Sequence, residues 1–374
     1  MSTSEIYSPG LEGVIAGETD ISTVTGGLRF RGYPVTELAA KSTFDEVAYL
    51  LLHGELPTRA QLGAFNKRLA AAQSLPNLVC DVLKKVPDGA EPMDVVRSAV
   101  SMLAHFDPET AEENHDVNLR KSERLLAQIP LIIGEYHRAR KGLPAVSSRP
   151  ELGFAANQLY LLTGKPPSEF DARAFDVSLI LYAEHEFNAS TFTARVVTST
   201  ASDLHSAIVA AIGALKGKLH GGANEKVMDM LQAAGGPDQA EAWIRGALAR
   251  KEKVMGFGHR VYKHGDVRAG ILKEYARQAA ERTGNTKWEQ TAAIIERVLT
   301  EEKNLFPNLD WPAGRLFHAL GLEVPLYTPF FVASRVTGWC AHVIEQADHN
   351  RLIRPRARYT GPDERHVKPI DQRG

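Results

Sequence analysis

The stretch 254–268, VMGFGHRVYKHGDVR, combines the residue types needed to hold an anion and to move a proton on it. Two glycines, Gly256 and Gly258, lead into His259, and glycine lets the backbone lie close to a ligand because it has no Cβ. Imidazole is the side chain most readily used for proton transfer near neutral pH, and Arg268 adds a fixed cation that suits carboxylates or phosphates. The stretch predicts a site for an anionic substrate on which a proton moves.

Plainer interpretations of the same stretch remain open. Gly-x-Gly before a polar run is most often an ordinary loop, and most Lys and Arg side chains are solvated. His259, His264 and Asp266 are also potential metal ligands, but neither a Cys nor a second His pair lies nearby in sequence, which disfavours a metal site. The stretch lacks the Gly-Lys-Ser/Thr ending of a Walker phosphate loop.

A second cluster is KLHGGANEK at 218–226. His220 precedes two glycines, and Asn224 is placed to cap the following helix. An imidazole beside a helix N-terminus tends to stay neutral, because the helix dipole disfavours a cation there. A neutral imidazole can donate a hydrogen bond to a developing enolate. The alternative is a hinge loop with a surface histidine.

A third cluster is FPNLDWPAGRL at 306–316. Asp310 comes shortly before Pro312, and proline suits the first turn of a helix. If apolar neighbours such as Leu309 and Trp311 surround Asp310, its pKa rises and it becomes a useful base. The common alternative is that Asp310 only caps the helix.

Charged residues also interrupt two apolar segments. His185 and Glu186 lie between apolar stretches, and Arg335 lies inside an apolar helix. A buried guanidinium without a partner is costly, so Arg335 needs either an internal salt bridge, for example with Glu345, or an anionic substrate.

Length and composition are those of a globular protein. The 374 residues suffice for two domains, and 44% hydrophobic and 24% charged residues are ordinary proportions. A net charge of −1 argues against nucleic-acid binding, and no apolar run is long enough to cross a membrane. Only Cys80 and Cys340 occur, and the start lacks the pattern of a secretory signal, so we expect a reduced, cytoplasmic location.

The hydrophobic pattern predicts a mainly α fold with a few short N-terminal strands. Residues 11–35 alternate around glycines, whereas helical spacing dominates from Ser42 onward. Thr43 and Glu46 form a capping box. We expect an extended arm over residues 351–374. The later predicted helices are 118–139, 152–162, 172–183, 202–215, 225–234, 239–251, 269–283, 287–302, 314–320 and 329–349.

Together these clusters resemble the citrate synthase family, in the family's order and at similar separations. The motifs are HEFNASTF at 185–192, HGGANE at 220–225, MGFGHRVYKHGDVR at 255–268, PNLDW at 307–311, SRVTGW at 334–339 and RPRARYTGP at 354–362. RGYPVTELA at 31–39 and PMDVVRSA at 92–99 also fit, so the resemblance covers nearly the whole chain.

The resemblance implies a two-domain, citrate synthase-like helical fold and an obligate homodimer. The large domain should comprise 1–220 and 322–374, and the small, mobile, CoA-binding domain 221–321. The implied reaction condenses acetyl-CoA with oxaloacetate and then hydrolyses the thioester. By the same resemblance, we expect neither a metal nor a prosthetic group to take part.

The resemblance also implies roles for individual residues. Asp310 is the base, His220 is the neutral donor to the enolate oxygen, and His259 hydrogen-bonds and protonates the oxaloacetate carbonyl. The implied oxaloacetate ligands are His185, His220, His259, Arg268, Arg335 and Arg354, the last reaching across the dimer. The implied CoA contacts come from the backbone of Val254, Met255, Gly256, Phe257 and Gly258.

The chain departs from the family pattern after Asp310. Trp311, Pro312 and Ala313 stand where many members carry an aromatic residue and then Tyr-Ser, a position that lines the acyl end of the cleft. NLDW is closer to the 2-methylcitrate synthases, whereas RPRARYTGP fits either group. We expect a citrate synthase, with 2-methylcitrate synthase acting on propionyl-CoA as the alternative. The long N-terminal extension of the hexameric, NADH-inhibited members is missing, so we expect a simple dimer.

Two rival functions come from other classes. A helical scaffold for partner proteins explains the helices but leaves Arg335 and the glycine-flanked His259 without a reason. A nucleotide- or metal-binding enzyme using His259, His264 and Asp266 predicts metal in the purified protein.

Overall fold

The computed structural model describes residues 7–258, 262 and 265–373, and within them it contains sixteen α-helices and one small sheet. His259 and His264 lie outside the described residues. The helices are α1 (Val35–Lys41), α2 (Phe44–His53), α3 (Arg59–Ala72), α4 (Asn77–Lys85), α5 (Pro92–Leu103), α6 (His115–Arg140), α7 (Phe154–Thr163), α8 (Glu169–Tyr182), α9 (Ala189–Ser199), α10 (Leu204–Leu215), α11 (Ala223–Ala233), α12 (Pro237–Ala249), α13 (Val267–Thr283), α14 (Lys287–Lys303), α15 (Asp310–Ala319) and α16 (Tyr327–Asp348). The mainly α prediction is confirmed.

The sheet comprises three two-residue strands, β1 (Ser22–Thr23), β2 (Arg29–Phe30) and β3 (Tyr33–Pro34). They pair antiparallel in the order β1-β2-β3, as expected for short alternating segments joined by tight turns. Ile21 and Phe30 are fully buried, so the sheet packs onto the helices through its apolar side chains. The predicted N-terminal strands are therefore confirmed, at 22–34.

Local capping signals were accurate guides to helix boundaries. The Thr43 side chain accepts a hydrogen bond from the Glu46 backbone N–H, the Glu46 carboxylate accepts one in return, and α2 starts there. Gly54 ends α2 in a left-handed conformation, with φ of 90°.

Helix α16 is the centre of the fold. Nearly every residue from Tyr327 to Gln346 is buried, and α16 packs against α6, α8, α9 and α10. A helix that is apolar all round must be enclosed by other elements. Helices α11–α15 pack chiefly on one another. The division into domains at residues 221 and 321 stays a prediction.

Some helices differ from the sequence prediction. The pattern missed α4, of which only Val79 and Leu83 are buried, and α9, which is rich in Ser and Thr. Helix α9 forms because Asn188 Oδ1 accepts hydrogen bonds from two backbone N–H groups in its first turn. Helix α15 begins at Asp310 rather than 314.

Two further expectations concern membranes and cysteines. Among the described residues, none of the helices is both long enough and apolar enough to span a bilayer. Cys80 in α4 and Cys340 in α16 are both free thiols.

Candidate active site

The C-terminal end of α8 brings together two of the predicted substrate ligands. The Tyr182 carbonyl accepts a hydrogen bond from Arg335 Nε at 2.6 Å, and the Leu181 carbonyl accepts one from Arg268 Nη1 at 3.4 Å. The last carbonyls of a helix lack partners within the helix and carry partial negative charge, so they suit guanidinium groups. Arg268 of α13 and Arg335 of α16 therefore meet at one helix end.

Arg335 is buried without an ion-pair partner among residues 7–258, 262 and 265–373. Only 2% of it is exposed, and no carboxylate among the described residues lies within salt-bridge distance. The suggested partner, Glu345, pairs instead with Arg195 at 2.6 Å, so that interpretation was wrong. Burial lowers the pKa of Arg335 to about 10, against the opposing effect of the Glu184 carboxylate. Arg335 thus remains a cation at neutral pH, with its charge available to an anionic ligand.

Arg268 is held in a different way. Its Nε and Nη2 donate to the two carboxylate oxygens of Asp266 at 3.0 and 2.8 Å, a bidentate pair that fixes the guanidinium. Burial lowers the pKa of Arg268, but the Asp266 carboxylate more than offsets this and leaves the pKa raised. Asp266 also caps α13 through the Arg268 backbone N–H.

Asp310 is the first residue of α15 and does not cap it. No backbone N–H of α15 donates to its carboxylate; Oδ1 instead accepts a hydrogen bond from the Tyr182 hydroxyl at 2.7 Å. Burial raises the pKa of Asp310 to about 6, while the Tyr182 hydrogen bond and the Arg268 and Arg335 charges act in the opposite direction. The cap interpretation was therefore wrong. A carboxyl group titrating near neutral pH suits a general base.

His220 is held as a neutral imidazole. Its Nε2 lies 3.3 Å from the Ser190 backbone N and 2.8 Å from Ser190 Oγ. Because the backbone N–H can only donate, Nε2 must accept, and the ring proton is assigned to Nδ1. Burial, reinforced by the Arg335 charge, lowers the pKa of His220 to about 4. The expected neutrality therefore follows from burial, with the Arg335 charge acting in the same direction.

One aromatic ring links these groups. The Phe331 ring lies 4.2 Å from the Tyr182 ring and 6.4 Å from His220, centroid to centroid. The Arg335 guanidinium sits over the same ring at 4.7 Å. His220, Arg335 and the Tyr182–Asp310 pair therefore share one neighbourhood, where the apolar ring strengthens their electrostatic interactions.

His185 lies in a turn between α8 and α9 that hydrogen bonds hold in place. It is buried, and its Nε2 lies 2.9 Å from the Tyr262 hydroxyl. Ser22 of β1 donates to the Glu184 carboxylate and accepts from the Glu186 backbone N–H, both at 3.0 Å. Glu186 has a left-handed φ of 51°, a conformation that such contacts must hold in place. The N-terminal sheet thereby orients the turn that carries His185.

The predicted CoA loop, 254–258, is docked against the segment before Asp310. Gly258 N donates to the Phe306 carbonyl at 2.9 Å, and Asn308 N donates to the Gly256 carbonyl at the same distance. Gly256 and Gly258 have φ of 81° and 75°, and a Cβ on Gly256 would meet the Trp311 backbone at 3.2 Å. The turn therefore requires glycine.

Asn308 connects this loop to the proposed base. Its Oδ1 accepts from the Asp310 backbone N–H at 3.0 Å, and its Nδ2 donates to the Gly258 carbonyl at 3.0 Å. Val254 and Phe257 are buried and Met255 is partly buried. Trp311 packs on Phe257 with centroids 4.6 Å apart and donates to Glu296, so its indole is held by the loop and by α14.

Three predicted site residues are not placed in this neighbourhood, two because they are not described and one because it is exposed on the tail. His259 lies outside the described residues, and so does His264 of the suggested metal set. Arg354 is exposed on a tail without regular secondary structure. Within the part of the chain that is described, we find no cluster of three acidic, His or Cys side chains arranged to hold a metal.

Sequence reasoning missed several supporting residues. Tyr182 and Phe331 lie in apolar helical stretches, where an aromatic residue indicates packing rather than chemistry. Asn224 was expected to cap α11, but it is buried inside the helix, one residue beyond its start. The local signal near Ser190 was Asn188, because Asn often caps a helix, but its position beside the HGG loop is visible only in the structure.

Comparisons with known proteins agree with this geometry. Residues 10–356 match the family described as citrate synthase, C-terminal domain. Citrate synthase 2 of Bacillus subtilis is 46% identical over 97% of this chain and 98% of its own length. A 2-methylcitrate synthase of Mycobacterium tuberculosis is 47% identical, covering 95% of this chain and 91% of that protein.

A solved structure is also similar. The ternary complex of carboxymethyl coenzyme A and oxaloacetate with citrate synthase from Thermoplasma acidophilum superposes with a TM-score of 0.94. The two chains share 33% identity over 99% of this chain and 100% of that one. The chain belongs to the citrate synthase family and is a transferase of the citrate synthase type.

Proposed function

We propose that this protein condenses acetyl-CoA with oxaloacetate and water to give citrate and free CoA. The observation that carries the proposal is the Asp310 carboxylate, with its pKa near 6, in one neighbourhood with a neutral His220 and two buried arginines. Removing a proton from the acetyl methyl group needs a base and simultaneous stabilisation of the enolate oxygen. Asp310 and His220 supply these two functions.

Each group has a defined part in this reaction. Asp310 takes the methyl proton, and His220 Nδ1–H donates to the thioester oxygen as negative charge develops there. Arg268, Arg335 and His185 hold the carboxylates and carbonyl of oxaloacetate. The role of His259, protonation of that carbonyl, rests on the sequence motif alone. The thioester is itself the activated substrate, so the scheme requires neither a metal nor a prosthetic group.

Release of free thiol tests the function directly. Mixing the purified protein with acetyl-CoA and oxaloacetate should liberate CoA thiol, whereas omission of either substrate should leave only background hydrolysis. A scaffold protein would release none, and a metal-dependent enzyme would lose its activity to chelators. The test should therefore include a sample dialysed against EDTA, for which we expect unchanged activity.

The 2-methylcitrate alternative rests on two observations. NLDW at 308–311 is closer to that group, and the Mycobacterium tuberculosis relative of 47% identity carries that name. Comparison of kcat/KM for acetyl-CoA and propionyl-CoA separates the two. We expect the acetyl value to be higher, and a higher propionyl value would favour the alternative.

We further propose a homodimer in which Arg354 serves the neighbouring subunit's site. Arg354 lies in an exposed tail that leaves the body of the protein after Ile353, whose N–H donates to Ser199 Oγ at 3.1 Å. A polar tail gains order most readily on a partner, and two-fold symmetry makes the exchange reciprocal.

A subunit-mixing experiment distinguishes a contribution in trans from one in cis. Asp310→Asn and Arg354→Ala homodimers should each be nearly inactive, and refolding them together in equal amounts should restore roughly a quarter of the wild-type sites. If Arg354 acts within its own subunit, the mixture regains nothing. An active Arg354→Ala homodimer would remove the assigned role altogether.

A further inference from the structure

We infer that Tyr182 is a positioning residue that holds Asp310 Oδ1 and thereby leaves Oδ2 as the atom that receives the substrate proton. The inference deepens the proposed function and rests on it. The hydroxyl lies 2.7 Å from Oδ1, while Oδ2 accepts no hydrogen bond from any of the described residues. In the transfer, the methyl C–H bond breaks, its electron pair forms the enolate, and the proton moves to Oδ2.

The Tyr182 side chain is fixed well enough to act in this way. It is 2% exposed, its ring packs against Phe331 at 4.2 Å, and its own carbonyl is held by Arg335 Nε. A ring restrained at both its face and its backbone cannot swing away from the carboxylate without disrupting the core. The hydrogen bond therefore fixes the orientation of the Asp310 carboxylate relative to the site.

The phenol can only be the donor in this pair. Burial raises the pKa of Tyr182 well above its ordinary value, an effect reinforced by the Asp310 charge, so the hydroxyl keeps its proton. The Asn224 side chain lies near the phenol and acts to lower its pKa, while Asn224 Nδ2 makes no hydrogen bond to any of the described residues. Asn224 Oδ1 is turned toward the Thr328 hydroxyl, at 3.5 Å. With the amide oxygen turned toward Thr328, the Asp310 carboxylate is the acceptor that the phenol hydroxyl reaches.

The charges around Asp310 come from three other helices. Tyr182 on α8 and the guanidinium groups of Arg268 and Arg335, on α13 and α16, favour the ionised carboxylate, whereas Asp266 at the start of α13 disfavours it. Burial disfavours ionisation more strongly than any of them. Since the phenol is the only one of these groups that donates to Asp310 directly, its removal should raise the pKa of the base.

The test compares Tyr182→Phe with Tyr327→Phe. Both remove one hydroxyl from a buried ring, but the Tyr327 hydroxyl lies 3.4 Å from the Leu322 carbonyl and does not touch Asp310. In Tyr182→Phe, we expect the acid limb of the pH profile of kcat/KM for acetyl-CoA to shift to higher pH by about one unit. Activity at pH 6 should fall by about fivefold or more, with a smaller loss at pH 8.5, and KM for oxaloacetate should stay within about twofold.

A second readout detects proton removal itself. With trideuterated acetyl-CoA, the isotope effect on kcat should be larger in Tyr182→Phe than in the wild type, because methyl proton removal becomes slower. Tyr327→Phe should keep the wild-type limb and the wild-type isotope effect. An unmoved acid limb together with an unchanged isotope effect in Tyr182→Phe overturns the inference, even if the variant melts at a lower temperature. Failure of the proposed function can be told apart from failure of this inference, because in the former case the wild-type protein itself would release no CoA.

Discussion

Burial raises the pKa of Asp45 and of Asp310 alike, but the two carboxyl groups have different neighbours. Each lies in the first turn of a helix, each is partly buried, and burial raises the pKa of each to about 6. Asp45 accepts a hydrogen bond from the Phe154 backbone N–H at 3.3 Å and faces the like charge of Asp176. Asp310 accepts from the Tyr182 phenol and faces two guanidinium groups.

The comparison separates desolvation from function. A raised carboxylate pKa reports that water has been displaced, and both structural and catalytic carboxyl groups meet that condition. Only Asp310 also has a side-chain donor that fixes its orientation and, nearby, a neutral imidazole and cations that can hold a substrate. The central claim is therefore that Asp310 is the base and that Asp45 is a structural carboxyl group.

The largest expected difference is in activity. Asp310→Asn keeps the size of the side chain but cannot take a proton, so kcat should fall on the order of a hundredfold or more, with oxaloacetate binding retained. Asp45→Asn should leave kcat within about twofold. Steady-state kinetics on both variants provide the measurement, and an Asp310→Asn enzyme with near wild-type kcat would remove the assignment.

The next difference concerns the pH dependence of the rate. Protonation of the base should reduce activity below about pH 6, roughly tenfold per pH unit, and Asp45→Asn should show the same acid limb as the wild type. Rate profiles between pH 5 and 8.5 provide the measurement. A limb that disappears or moves in Asp45→Asn would show that the two carboxyl groups had been assigned the wrong way round.

The smallest expected effect is on stability, where the two aspartates should behave alike. Each folded-state pKa lies above the ordinary value of 3.8, so each group stabilises the fold below about pH 4 and loses that contribution as the pH rises through 6. A pKa shift of about two units corresponds to roughly 3 kcal/mol in the free energy of unfolding. Because both side chains are partly exposed, we expect each to contribute on the order of 1–2 kcal/mol.

Denaturant titrations at pH 4 and pH 8 measure this contribution. Asp45→Asn and Asp310→Asn should both be more stable than the wild type at pH 8 and nearly equal to it at low pH. The amide at residue 45 can still accept from the Phe154 N–H, so the variant isolates the charge. If the stability of Asp45→Asn depended on pH in the same way as that of the wild type, the Asp45 carboxyl group would not titrate as described.

The sequence predicted the fold class, and it singled out most of the residues that the structure brings together in the candidate site. The capping box at Thr43 and Glu46 predicted the start of α2, and the clusters identified His220, Asp310, Arg268 and Arg335 before any geometry was known. His220, Asp310 and Arg335 could be found because each breaks a local pattern, either as a charge among apolar neighbours or as a histidine beside glycines. Arg268 could be found because it ends the stretch that contains the glycine-flanked His259.

The remaining residues could not be found because they obey their local patterns. Tyr182 ends an apolar helix as any core tyrosine would, and its role depends on Asp310, 128 residues away in sequence. Helix α9 was missed because its Ser and Thr residues have weak helix propensity, and tertiary packing together with the Asn188 cap decides its conformation. Local sequence periodicity does not reveal contacts between segments that are distant in sequence.

Exchange of the acetyl methyl protons with solvent tests the central claim most directly. Malate has the carboxylates of oxaloacetate but no carbonyl to attack, so it should occupy that site and allow proton removal without condensation. In D2O with malate, NMR should show deuterium entering the methyl group of acetyl-CoA with the wild type and with Asp45→Asn. With Asp310→Asn the exchange should be at least about a hundredfold slower. Exchange at the wild-type rate in Asp310→Asn would contradict the assignment of Asp310 as the base.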